Sequence, residues 1–378
     1  MDFSFTPEQD DAAALAASIL DDRVTLDRQK AVEAEGSRFD RDLWAALGGA
    51  GLLSLAVPEQ YGGAGLGLVE LCRVLHEVGQ RVAPVPLATH GAAALLLAES
   101  ADADLAGAWL PGAASGEQVL TVALSEERSH LPALPVTTAS STGAGWSVSG
   151  AKSLVRAGTS AAAYLVSAGT SEGVGVFLVE AGADGVRTTP GRTSDGDTVA
   201  RLDLEQAPAT LVGDLDGNTA RRLGDLVTVA TGAELLGITE GALHLTAQYA
   251  KTREQFGRPI GTFQAVSQRL ADGYIDVLGQ RLTLWSAAWR LAEGLPAETE
   301  VAIAKLWAAD AAHRLAHTTV HVHGGVGTMV IHADQGTVHI YVDEQRAAVR
   351  GQVRQLGVDA LPPKRGARVE ALDRKKDR

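Results

Sequence analysis

The spacing of apolar residues in this 378-residue chain changes twice, which restricts it to a three-part architecture. From about Phe5 to Gln118 the period is helical. TPEQDDAAALAASIL opens with Thr6 and acidic first-turn residues, a helix start, and further helices are expected near Arg41–Gly51, Gly67–Gly79 and His90–Glu99. From Val119 to Val212 the pattern becomes short β-rich runs, VLTVAL, WSVSG, AAYLVSA, VGVFLVE and VARLDLE, separated by Gly, Ser, Thr and Asp turns. From Asn218 long helical periods return, through Gly279–Glu293, Ala297–His323 and Ile340–Leu356. The fold class is therefore α+β. An N-terminal helical domain over 1–118 is expected, then a central β-domain over 119–213, a C-terminal four-helix bundle over 214–360 and a mobile basic tail over 361–378.

Charge and cysteine content narrow the partners. A formal charge of −13 and a pI near 5.2 argue against nucleic acid, whose phosphates need a basic surface. Cys72 is the only cysteine, so no intramolecular disulfide can form and a cytoplasmic setting is expected. The first 22 residues carry six acidic side chains, and no apolar stretch approaches about twenty uninterrupted residues, so neither an export signal nor a membrane span is expected.

The chemistry concentrates in Tyr249–Gln264, YAKTREQFGRPIGTFQ. Before it, Leu223, Leu226, Val227, Ala230, Leu236, Ala242, Leu243 and Ala247 recur at helical spacing, and Gly257, Pro259 and Gly261 then stop the helix. Arg253 offers a fork of donors suited to a pyrophosphate, Phe256 a flat ring face, and Gln264 an amide that can donate and accept. The segment resembles the flavin-binding signature of the acyl-CoA dehydrogenases, whose subunits use these three positions to hold the FAD of a neighbouring subunit. Three more landmarks follow the family's order along almost the whole chain: PEQYGGAG at Pro58–Gly65, GWSVSGAKSLV at Gly145–Val155, read as strand, turn and strand, and HVHGGVG at His321–Gly327.

The resemblance implies FAD-dependent oxidation of an acyl-CoA to its trans-2-enoyl-CoA, with an electron-transfer flavoprotein-like acceptor. The α-proton leaves to a carboxylate base and the β-hydrogen to the flavin as hydride. It also implies cofactor contacts at Arg253, Phe256, Gln264, Gly324, Gly325, His321, which stands where a glutamine commonly meets the adenine side, and Ser125, which keeps a hydroxyl in LSEERSH.

Several family positions are altered. The usual base lies in a Tyr-Glu-Gly-Thr turn that IYVDEQRAAVRGQVRQLG lacks; Ala348 falls at the position, and Asp343 and Glu344 read as solvated partners of Arg346 and Arg350. The alternative base position, on the long helix, is Val227. Glu234 lies about two turns further on the same face and is the candidate base, with structural pairing as the competing reading. Asp225 reads as an exposed early-turn residue. KSLVR puts Leu154 and Arg156 where the family often has Trp and Thr beside the isoalloxazine.

These losses resemble a bacterial subset built from two related chains as α2β2, often acting on steroid side-chain CoA esters. The expected partner is a homologous subunit or a second copy. A flavin-dependent monooxygenase of the same fold and a non-catalytic supporting paralogue remain open. No metal is expected: His313, His317, His321 and His323 come without an HExxH motif, and Asp214, Asp216 and Asn218 read as a surface turn. Trp285 and Trp289 read as packing or interface residues.

Overall fold

The computed structural model describes residues 4–36, 38–143, 145–193, 196–324, 327–332 and 337–342. Six helices come first: α1 (Pro7–Arg23), α2 (Leu26–Ala34), α3 (Arg41–Gly49), α4 (Leu68–Gln80), α5 (Leu87–Ser100) and α6 (Ala103–Ser115). Thr6 starts α1 with a reciprocal cap, its hydroxyl accepting from the Gln9 N–H at 3.3 Å while the Gln9 amide oxygen accepts from the Thr6 N–H at 3.0 Å. Helix α6 is absent from the sequence-based expectation because Gly107, Pro111 and Gly112 read as breakers. It forms because Asp102 caps it through the Leu105 N–H at 2.8 Å, and because Leu105, Ala106, Trp109, Leu110 and Ala113 bury one face.

Strands β1 (Leu120–Ala123), β2 (Thr138–Thr142), β3 (Gly145–Arg156), β4 (Ala163–Gly169), β5 (Val174–Glu180), β6 (Val186–Arg192) and β7 (Thr198–Val212) make the central domain. The sheet runs β1-β4-β2-β3-β7-β5 and closes on itself, since β5 also pairs with β4. Val148, Tyr164, Val166, Phe177, Val179 and Leu202 fill its interior. The expected strand–turn–strand in GWSVSGAKSLV is instead one continuous strand, β3, with register shifts against β7 at Val148/Gly150 and Lys152/Val155. Gly150, at φ +145°, absorbs the irregularity as a bulge because a side chain there would collide with Thr137.

The C-terminal part has three long helices among the described residues, α7 (Asn218–Thr252), α8 (Gln264–Ala292) and α9 (Glu298–His323), with a two-residue hairpin β8 (Glu254–Gln255) and β9 (Arg258–Pro259) between α7 and α8. Strands β10 (Gly327–His332) and β11 (Thr337–Val342) follow as an antiparallel pair. The helix expected from Ile340 therefore differs at its start: Thr337–Val342, rich in β-branched and aromatic residues, is a strand. The remainder of that fourth helix and the basic tail lie outside the described residues.

The α7 helix is long and apolar enough by composition to cross a bilayer, but 61% of its apolar window is buried inside the fold. It packs hardest against α4, where glycines let the two backbones touch. A Cβ at Gly237 would sit 2.0 Å from the His76 carbonyl oxygen, and one at Gly79 would sit 1.9 Å from that of Glu234. Gly237→Ala should therefore force the helices apart and lower stability by about 3 kcal/mol, read as a shifted denaturant midpoint.

His76 sits at this crossing, its Nε2 2.8 Å from Glu240 of α7 and its Nδ1 3.1 Å from Glu77; Arg281 of α8 also holds Glu240, and Arg81 ties Glu77 to Asp21 of α1. Burial opposes the imidazolium charge, but the two carboxylates outweigh it and raise the His76 pKa above 6.5. A histidine raised in the fold contributes fully below 6.5 and loses that contribution as pH rises through its folded value. The melting temperature of the wild type should therefore fall as pH rises above 6.5, and His76→Gln should flatten that slope.

Candidate active site

Two constellations stand apart in this chain. At one end of the helical bundle, α7 stops at Arg253, whose N–H bonds the Tyr249 carbonyl at 2.8 Å. The hairpin that follows turns through Phe256 and Gly257, at φ +54° and +75°. Both central residues are left-handed, a geometry suited to Asn-Gly and strained for phenylalanine by roughly 1–2 kcal/mol. The strain presents the ring: Phe256 is 93% exposed, meeting Phe263 edge-on at 6.1 Å, and Arg258 lies over Phe263 at 4.3 Å. Gln264 is exposed as the first residue of α8.

The end of α9 is fastened beside this loop. Tyr249 stacks on buried His323 at 4.3 Å, His323 Nδ1 donates to the Thr319 carbonyl at 2.8 Å, and Thr246 bonds Thr319 at 3.1 Å. Gly324 then ends α9 at φ +60°. Arg253, Phe256, Gln264 and Gly324 thus gather at one end of the bundle, and His321 is exposed on the last turn of α9. Gly325 lies outside the described residues, as do Asp343, Glu344 and Ala348.

The second constellation lies where the β-domain meets the middle of α7. Ser125 accepts the Ser153 N–H at its carbonyl, 2.9 Å, and donates its hydroxyl to the His130 carbonyl at 3.0 Å. Its loop is anchored by Glu126, which takes the N–H groups of Val136 and Thr137 and the buried Lys152 ammonium at 2.9 Å. Burial alone would raise the Glu126 carboxyl, but these donors hold it down at about 2. Leu154 is strained at φ +53° and 43% exposed on the β3 bulge.

Arg156 ends β3 with its carbonyl held by the Thr121 hydroxyl at 2.7 Å. Its guanidinium reaches Asp197, before β7, at 2.8 Å and Glu234 of α7 at 3.3 Å. Glu234, the candidate base, is thus engaged by a cation from another domain. Asp197 is missing from the sequence-based set because TSDGDT carries only a turn signal. Arg38, Phe39 and Pro84–Pro86 complete the walls, and the cavity between them holds about 20 Å³, room for about one water. Asp225 is half-buried rather than exposed, because it sits on the core helix, and burial raises its carboxyl.

Glu234 and Arg253 are roughly 28 Å apart along α7 at 1.5 Å per residue, so the two constellations cannot hold one end of the same small group within one chain. The outward loop offers the guanidinium fork of Arg253, the open ring face of Phe256 and the amide of Gln264, groups whose chemistry suits a pyrophosphate and an aromatic ring. The cleft at Arg156 does not fit an isoalloxazine, since cofactor sites run to about 300 Å³ or more. No group of three or more His, Cys, Asp or Glu suited to a metal occurs among the described residues. Asp216 instead caps a surface turn through the Asn218 N–H at 2.8 Å.

An apolar stripe runs along α8 from the same end: Ile275, Leu278, Leu282 and Trp289 are 61%, 43%, 64% and 45% exposed, and Ile303 and Leu306 of α9 are similarly open. Trp285 turns inward onto Phe5. A contiguous apolar stripe of this kind marks a protein-binding face. Phe256→Asn should separate display from stability: the isolated chain should gain about 1 kcal/mol in thermal melts, as the turn relaxes, and lose the ring offered to a partner.

Models of the acyl-CoA dehydrogenase N-terminal domain and C-terminal domain match residues 6–117 and 228–348. The acyl-CoA dehydrogenase FadE27 of Mycobacterium tuberculosis (strain ATCC 25618 / H37Rv) is 43% identical over 373 residues, 94% of this chain and 98% of that protein. A chain of the ChsE4-ChsE5 complex from Mycobacterium tuberculosis superposes with a TM-score of 0.82 at 46% identity, covering 86% of this chain and 89% of that one. A chain of the Tcur3481-Tcur3483 steroid ACAD superposes with a TM-score of 0.81 at 43% identity, covering 84% and 87%.

Proposed function

The chain belongs to the acyl-CoA dehydrogenase family of FAD-dependent enzymes, and from that membership we propose that it is the supporting subunit of a two-chain dehydrogenase acting on steroid-type acyl-CoA thioesters. The observation that carries this reading is the division of the chain into an exposed flavin-contacting loop and a closed cleft, roughly 28 Å apart along α7. Arg253, Phe256 and Gln264 face outward and contribute to a site completed by a homologous chain. The apolar stripe on α8 begins at the same end and gives that chain a surface to pack on. Similarity to chains of the ChsE4-ChsE5 complex and of a steroid ACAD supports both the partner and the substrate class.

Bound FAD supplies the hydride acceptor in such a site. This chain's part is to bind and orient: the Arg253 fork meets a pyrophosphate, the Phe256 face covers a ring, and the Gln264 amide fixes orientation. The base that takes the α-proton comes from the partner, since Glu234 is paired with Arg156 and the Val227 position has no carboxylate. Such a site would need an acceptor of the electron-transfer flavoprotein type to take up the electrons that the flavin would supply, and a cytoplasmic setting fits that chemistry.

The chain purified alone should be colourless, and co-expression with a homologous chain should give a yellow complex that bleaches anaerobically with a steroid-type acyl-CoA. Arg253→Ala in this chain should lower flavin retention by that complex at least ten-fold, because a charge-assisted pair to the pyrophosphate is lost. A yellow chain that bleaches on its own would sink the reading.

A further inference from the structure

Three charged side chains from three separate elements converge where the β-domain meets α7. Arg156 comes from the end of β3, Asp197 from the segment before β7 and Glu234 from the middle of α7, and each side chain is only 11–13% exposed. Charges are seldom drawn this far out of water without a partner, and here one guanidinium answers two carboxylates. Arg38 lines the same cleft and brings a second positive charge, so the four groups balance. The planar Arg156 fork spans the gap between domains, with Nε on Asp197 and Nη1 on Glu234.

We propose that Arg156, Asp197 and Glu234 form an ionic latch that fills this chain's own flavin cleft, holds the β-domain against α7 and keeps the cleft shut. The latch rests on the reading of the chain as a supporting subunit and explains how such a subunit keeps its two domains docked. Glu234 is then a fastening residue. Its backbone carbonyl is the group that Gly79 of α4 packs against, so the helix that carries it is fixed from the opposite side.

The test uses the full chain with one reporter, Ala157→Cys. Ala157 lines the cleft beside Arg156, is 8% exposed and already carries a Cβ, while the native Cys72 is fully buried and its thiol is raised by burial, so it stays silent. Reaction of the reporter with dithiobis(nitrobenzoate) should be slow in the latched chain. It should be at least ten-fold faster when Arg156→Met, Asp197→Asn and Glu234→Gln are combined, a set that removes the charges and leaves no carboxylate stranded. Arg156→Ala alone should lower the melting temperature by several degrees at pH 7, because it leaves two largely buried carboxylates without their cation. If the triple variant fails to fold, Arg156→Lys keeps the cation and loses the fork, and should give an intermediate rate.

An unchanged reporter rate in the folded triple variant, or in Arg156→Lys, would overturn the latch. Flavin content of the wild type reads the underlying proposal separately: a chain colourless alone and yellow with its partner, with an unchanged reporter rate, retires the latch and keeps the supporting-subunit reading. A chain that binds stoichiometric flavin by itself retires both.

Discussion

The contact between α4 and α7 sets the geometry of the whole chain. Glycines on both helices bring backbone against backbone, Gly237 onto His76 and Gly79 onto Glu234, and this closeness leaves no freedom to slide. With α7 fixed in rotation, Glu234 faces the β-domain while the other end of the helix delivers Arg253 to the surface. The charged network of His76, Glu77, Glu240, Arg81 and Arg281 rims the same crossing and pins α1 and α8 to it. A helix apolar enough to resemble a membrane span is thereby the axis of a globular core.

That axis separates two kinds of local tension. At the Arg253 end, strain is held in the backbone: Phe256 occupies a left-handed turn position and displays a ring to solvent. In the middle, tension is electrostatic, with Arg156, Asp197 and Glu234 partly withdrawn from water and satisfied by one another. An exposed aromatic in a disfavoured conformation makes sense when another surface covers it, and a cleft closed by ion pairs makes sense when no ligand needs it. Both features are consistent with the proposed division of the site between two chains.

Much of the fold was legible because periodicity is a local property. The capping box at Thr6, the short continuous apolar run of β5 and the long helical periods of α7 and α9 each follow from residues a few positions apart. Helix α6 was hidden because its glycines and proline oppose helix formation locally, and burial of Trp109 and Leu110 decides otherwise. The turn expected in β3 vanished for a related reason: Gly150 permits a bend, but pairing with β7 continues through Gly150, Ala151 and Lys152 and carries the strand on. Strand β11 replaced the start of an expected helix because its residues suit a pleated surface once β10 supplies a partner.

The sequence by itself determined the three-part architecture, the family and the outward-facing loop, because apolar spacing and a compact motif such as REQFG encode them within a few turns of chain. Tertiary structure alone decided what Glu234 pairs with. Its partner Arg156, which also holds Asp197, is far away in sequence and meets it only where a closed sheet docks on a helix held by α4. Ion pairs of that kind depend on the placement of whole domains, and no local pattern records them.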